Sequence, residues 1–177
     1  MIEIKFANSF RRQTGRHCLP FSVAGRMVTR ASCAEKRTNM TTYRLITANR
    51  NYSSWSLRPW VLMTALGIDF ADEVRPFEAP VNYAAFRAFS PTGQVPALID
   101  TLDDGTTRTI WDSLGITLYL ADRHSTVWPA DPAARAWAMC AASEMHAGFG
   151  TLRNACTMNV GVRVAMGAPG GALNRDI

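Results

Sequence analysis

Between Tyr43 and Phe77 a strand-like run, a helical run and a second strand-like run follow one another with short breaks, and this order constrains the fold more than any other feature of the chain. Tyr43 to Ala48 is rich in β-formers, and Ser53 to Leu66 repeats apolar residues at helical spacing, with Pro59 tolerable in its first turn. Phe70 to Phe77 then alternates loosely as a strand, which makes a parallel βαβ unit. After Pro80, Val81 to Phe89 reads as a short irregular helix. Val95 to Ile99 is a third strand, Asp103-Asp104-Gly105 a hairpin turn, and Thr106 to Trp111 its antiparallel partner. Asp112-Ser113 caps a helix running through Leu118 to about Arg123.

The string βαβαββα is the thioredoxin-like order, an α/β architecture with helices packed on a mixed four-stranded sheet. It accounts for residues 40–124. Residues 125–131 form a linker, after which Asp131 as N-cap and Pro132 at the first helical position open a long alanine-rich helix expected to reach about Met158. Gly167 to Gly171 is rich in Gly, Ala and Pro, so residues 132–177 are expected to form a truncated all-α domain. One helix cannot bury its own apolar stripe.

Charge and composition exclude several classes of function. The net charge of +5 is uneven: residues 1–39 hold eight Lys or Arg against two Glu, and the remainder holds eleven Arg against twelve acidic residues. The basicity therefore belongs to the leader, and the folded part shows no electrostatic footprint for nucleic acid. Residues 1–39 fit an Arg-rich transit peptide, a disordered basic arm, or an over-extended reading frame that truly starts at Met40. The last is the expectation adopted, because the periodic pattern begins directly after Met40. No apolar run approaches the ~20 residues that cross a bilayer. Cys18, Cys33, Cys140 and Cys156 form no CxxC pair and have no metal-ligand spacing with His17, His124 or His146, so neither a metal site nor a dithiol centre is expected. Cys140 and Cys156 are expected to be buried as small hydrophobes.

Three segments carry candidate chemistry. The first is the hydroxyl-rich turn Asn51-Tyr52-Ser53-Ser54-Trp55-Ser56-Leu57-Arg58-Pro59-Trp60, and the second is Ser90-Pro91-Thr92-Gly93-Gln94-Val95-Pro96-Ala97-Leu98. The third is Trp111-Asp112-Ser113-Leu114-Gly115-Ile116-Thr117-Leu118-Tyr119-Leu120. Serines before an apolar periodic run serve commonly as helix caps, and Asp112-Ser113 at a helix start can cap and attract a carboxylate with one geometry. Pro96 at the start of a buried strand removes a ladder donor, which is normally excluded from central positions.

In their order and spacing these segments resemble the glutathione S-transferase family: the second is similar to its NPxGxVPxL motif and the third to its ESxAIxxYL motif. The resemblance runs from Thr42 to about Val160, and Ser143-Glu144-Met145-His146-Ala147-Gly148-Phe149-Gly150-Thr151-Leu152-Arg153 is similar to the SAEMHSGFxxLR run of a bacterial subgroup. It implies a cytoplasmic transferase with glutathione as cosubstrate, no cofactor, a small electrophilic second substrate, and a homodimer where the helical domain is complete. By resemblance to serine-type members, Ser53 is the first candidate to stabilise the glutathione thiolate, Ser54 the second and Ser56 the third. Trp55 stands where cysteine-type relatives carry a reactive thiol, which argues against mixed-disulfide chemistry.

The resemblance further implies a cis bond before Pro96 that turns the Val95 backbone toward the cysteinyl part of glutathione, with Gln94 at the glycine end. Ser113 is assigned to the γ-glutamyl carboxylate and Asp112 to the amino end, although Glu is the more usual residue there. Glu144, His146 and Arg153 are read as a solvated or intrahelical network rather than as cleft residues. The missing helices also leave open a non-catalytic or truncated glutathione-S-transferase-like module serving binding or dimerisation.

Overall fold

The computed structural model describes residues 42–78, 83–165, 167–168 and 170–176; the expected basic leader lies outside them. Strand β1 (Thr42–Thr47) is the hub, because it pairs in parallel with β2 (Phe70–Val74) and antiparallel with β3 (Ala97–Thr101). β3 in turn pairs antiparallel with β4 (Thr107–Ile110), giving a mixed four-stranded sheet in the order β2-β1-β3-β4. This is the thioredoxin-like layer expected from the sequence.

Helix α1 (Ser54–Leu66) forms the crossover between the two parallel strands, and α3 (Ser113–Ala121) packs beside it. Their inward residues Met63, Ile116 and Leu120 meet Tyr43, Leu45 and Leu98 of the central strands in one buried cluster. Burying each such side chain is worth about 1.5–3 kcal/mol, so this seam holds both helices to the sheet. α1 ends at Gly67, whose φ of 64° lets its N–H reach the carbonyls of Met63 and Thr64. Pro59 lies in the second turn rather than the first, buried, where it deprives the helix of one internal hydrogen bond.

Other boundaries differ from the sequence pattern. β2 stops at Val74 instead of Phe77, and β3 begins at Ala97 instead of Val95. Between them α2 (Tyr83–Phe86) is a single turn, closed by bonds from Arg87 N–H to Tyr83 O and from Ser90 N–H to Phe86 O. Gly93 has φ 69°, and a Cβ there would lie 3.1 Å from the Tyr83 carbonyl, so a side chain in the turn before Pro96 would be both strained and crowded.

Helix α4 (Pro132–Ala147) starts as expected, with the Asp131 carboxylate accepting from Ala134 N–H at 2.7 Å. It does not run on to Met158. Gly148 closes onto the Glu144 carbonyl at 2.7 Å, Phe149 adopts φ 62°, and the chain restarts as α5 (Gly150–Ala155). A Cβ at Gly148 would sit 2.9 Å from that carbonyl, which explains why the break falls at this residue. A last turn, α6 (Gly171–Asn174), returns to α5, where Asp176 accepts from Leu152 N–H at 2.8 Å. Cys140 is exposed and Cys156 half-buried, because α4 buries none of its side chains; the expectation of two buried thiols fails.

The end of α3 is fastened to the sheet by a polar cluster. Asp100 is fully buried on β3 beside Tyr43; Tyr119 donates to it, and the Arg123 guanidinium stacks on Tyr119 with its Nε 3.7 Å from the carboxylate. Tyr43 meets His124 Nε2 at 3.2 Å. Burial and the Asp100 charge push the Tyr43 phenol from 10.0 up to about 12. The folded chain thus holds this proton more tightly than an unfolded one, so the contribution is whole below pH 10.0 and is lost as pH rises through about 12. Tyr43→Phe is expected to flatten the fall of unfolding free energy across that alkaline window in urea titrations; equal slopes in both proteins would contradict it.

Candidate functional site

The turn from β1 into α1 is built from hydroxyls. Ser53 N–H and Tyr52 N–H both donate to Asn49 O, at 2.8 and 3.0 Å, which reverses the chain after the strand. Ser53 then caps α1: its Oγ accepts from Ser56 N–H at 3.3 Å and donates to Ser56 Oγ at 3.0 Å. Ser56 Oγ also accepts from Ala48 N–H at 3.1 Å. The three serines are therefore not equivalent. Ser56 is fully buried and structural, Ser53 is nearly buried but faces a cleft, and Ser54 is half-buried away from it.

That cleft, about 470 Å³, gathers Ser53 from the start of α1, Gln94, Val95 and Pro96 from the loop before β3, and Asp112 and Ser113 from the start of α3. The Val95–Pro96 bond is cis, and so is Trp111–Asp112. The Asp112 Oδ1 accepts from Leu114 N–H at 2.9 Å and Gly115 N–H at 3.2 Å, so two of the helix-end donors are already engaged and Ser113 remains the one closest to the cleft. Of the candidates expected from the sequence, Ser54 and Ser56 are left out.

Several cleft residues were not foreseen. Phe77, Tyr83, Phe86 and Trp111 supply aromatic walls, and His146 reaches the cleft from α4. The reading of His146 as part of a solvated network is corrected: its Nε2 lies 3.3 Å from Asp112 Oδ2. The ring of His146 stands edge-on to Trp55 at 5.3 Å. Two guanidiniums also approach that indole, Arg58 at 4.1 Å and Arg153 at 5.1 Å from its centroid. Burial and the neighbouring Arg153 charge lower the Arg58 pKa, with Asp112 opposing. Trp55 is thus the post on which α4 and α5 dock against α1. Nothing in an indole offers a nucleophile. Among the described residues no group of three or more His, Cys, Asp or Glu side chains is placed to hold a metal, and no helix is long and apolar enough to cross a membrane.

Residues 52–123 match the family model described as glutathione S-transferase, N-terminal domain. Over these residues the chain is similar to that domain. Among solved structures, a glutathione transferase homologue from Burkholderia gl BGR1 with bound glutathione shares 22% identity with the transferase chain at TM-score 0.51, covering 65% of this chain and 62% of its own. Ure2p in complex with S-hexylglutathione shares 20% identity at TM-score 0.52, covering 65% of this chain and 53% of its own. A family member from Pseudomonas fluorescens Pf-5 with two glutathione molecules bound shares 17% identity at TM-score 0.50, covering 63% and 49%. These likenesses concern the fold, and the chain spans less than two thirds of the length of each. No curated protein matches the chain.

The serine lattice makes a stability test direct. Ser56→Ala leaves the buried Ala48 N–H without its acceptor and is expected to cost about 1–3 kcal/mol in urea unfolding, whereas Ser54→Ala is expected to stay within about 0.5 kcal/mol. Equal effects of the two replacements would contradict this division of roles.

Proposed function

We propose that this chain is a serine-type, bacterial-like glutathione transferase that binds glutathione and holds its sulfur as the thiolate for attack on an electrophilic carbon. The observation that carries the reading is the convergence of Ser53, Val95-Pro96 and Asp112-Ser113 on one cleft. Glutathione complexes of structures with the same fold support it.

The energetics favour a hydroxyl donor. A free cysteine thiol has a pKa near ~8.5 and is about 3% thiolate at neutral pH. Lowering that pKa to about 7 requires about 2 kcal/mol of preferential anion stabilisation. A hydrogen bond to a charged acceptor supplies ~1.5–3 kcal/mol and a helix N-terminus ~0.3–1 kcal/mol, so Ser53 at the head of α1 suffices without a general base. To serve the sulfur, Ser53 must give up its bond to Ser56, which still accepts from Ala48 N–H. The exchange leaves no buried donor orphaned.

In this reading Gln94 meets the glycine end, the Val95 backbone pairs with the cysteinyl peptide, Ser113 takes the γ-glutamyl carboxylate and Asp112 the amino group. The reading extends to a small electrophilic substrate, a detoxification role, a cytoplasmic setting and a homodimer when the helical half is complete. One observation favours the alternative of a non-catalytic binding or dimerisation module: α4 buries no side chain, and its Trp137 is 74% exposed, so the helical half offers little wall for an electrophile.

Conjugation of glutathione to an aromatic electrophile separates the two. Ser53→Ala is expected to lower turnover about thirtyfold, the kinetic equivalent of ~2 kcal/mol, while Ser54→Ala stays within about twofold of wild type. Unchanged turnover in both variants would defeat the mechanism. Tight retention on immobilised glutathione with no turnover at all would favour the binding module.

A further inference from the structure

His146 is the polar side chain that α4 contributes to the cleft, and its surroundings hold it in one place. Its backbone carbonyl and that of Met145 accept from the Arg153 guanidinium at 3.4 and 2.8 Å, while that guanidinium packs against Trp55. Its ring stands against the same indole at an interplanar angle of 78°. Nδ1 is buried and has no partner among the described residues, so the ring's polar contact runs through Nε2, 3.3 Å from Asp112 Oδ2.

The two oxygens of Asp112 have different partners. The helix cap holds Oδ1, through Leu114 N–H and Gly115 N–H, and the second oxygen faces His146 Nε2. Aspartate is one methylene shorter than glutamate, so its reach into the cleft depends on where Oδ2 points. The contact from Nε2 adds a second restraint on that direction, and a carboxylate oxygen retains a second lone pair for another donor.

We infer that His146 is a positioning residue that aims the Asp112 carboxylate at the α-amino group of glutathione, making the first-substrate site a composite of α3 and α4. The inference rests on the glutathione reading above, and it specifies which functional group of the tripeptide feels the second helical element.

Calorimetry on the full chain at neutral pH tests it with two ligands, reduced glutathione and the analogue in which glutaryl replaces the γ-glutamyl residue, which lacks only the α-amino group. His146→Ala is expected to weaken glutathione about tenfold, the equivalent of one hydrogen bond to a charged group, and to leave the analogue within about twofold. His146→Gln, whose amide can donate to Asp112, is expected to recover most of the loss. Asp112→Asn keeps the helix cap and is expected to erase the preference for glutathione over the analogue. A His146→Ala chain that binds glutathione like wild type, or that weakens both ligands alike, overturns the inference and leaves the glutathione reading standing, as does an Asp112→Asn chain that keeps the preference. A wild-type chain that binds neither ligand overturns both.

Discussion

The Ser56 hydroxyl, buried at the junction of β1 and α1, accepts from Ala48 N–H at the end of the strand and from Ser53 at the head of the helix. A strand that ends in a sheet and a helix that begins against it both leave backbone donors unpaired at the same spot. The Ser56 oxygen satisfies one of them and presents Ser53 to the cleft at the same time. Were that oxygen absent, the turn would relax, and the hydroxyl that faces the cleft would lose its support. Site and fold therefore share one small set of hydrogen bonds.

Three chain segments supply the rest of the cleft, and each does so for a local reason. The loop before Pro96 turns on Gly93, whose conformation and crowding disfavour a side chain. The start of α3 is held by the Asp112 cap. Trp55, lodged among Arg58, Arg153 and His146, brings α4 and α5 to the edge of the cleft. The aromatic residue in that position supplies an anchoring surface, so the second helical element is coupled to the site through packing.

Much of this was legible in the sequence because the signals are local. The switch between strand and helix periods yields the order of elements along the chain, and the caps Ser53, Asp112 and Asp131 are visible as polar residues before apolar runs. Pro96 announces itself by standing where a strand donor should be. What was not legible depends on distant pairing or crowding. The break at Gly148 comes from close approach to the Glu144 carbonyl within a pattern that otherwise continues as helix. His146 reads as a surface residue until α4 is seen lying against Trp55 and Asp112, and Cys140 reads as buried only if further helices are assumed to cover α4. The resemblance ranks Ser53 ahead of Ser54, but that only Ser53 of the two lines the cleft is a matter of helical phase at the cap.

The central claim is that a serine hydroxyl and an open helix end draw a proton off sulfur. The most direct measurement follows the ultraviolet absorbance of the thiolate while glutathione bound to the wild-type chain is titrated with base. The account expects the bound sulfur to ionise at about pH 7, well below the ~8.5 of a free thiol. Ionisation of the bound sulfur at its solution value would contradict it.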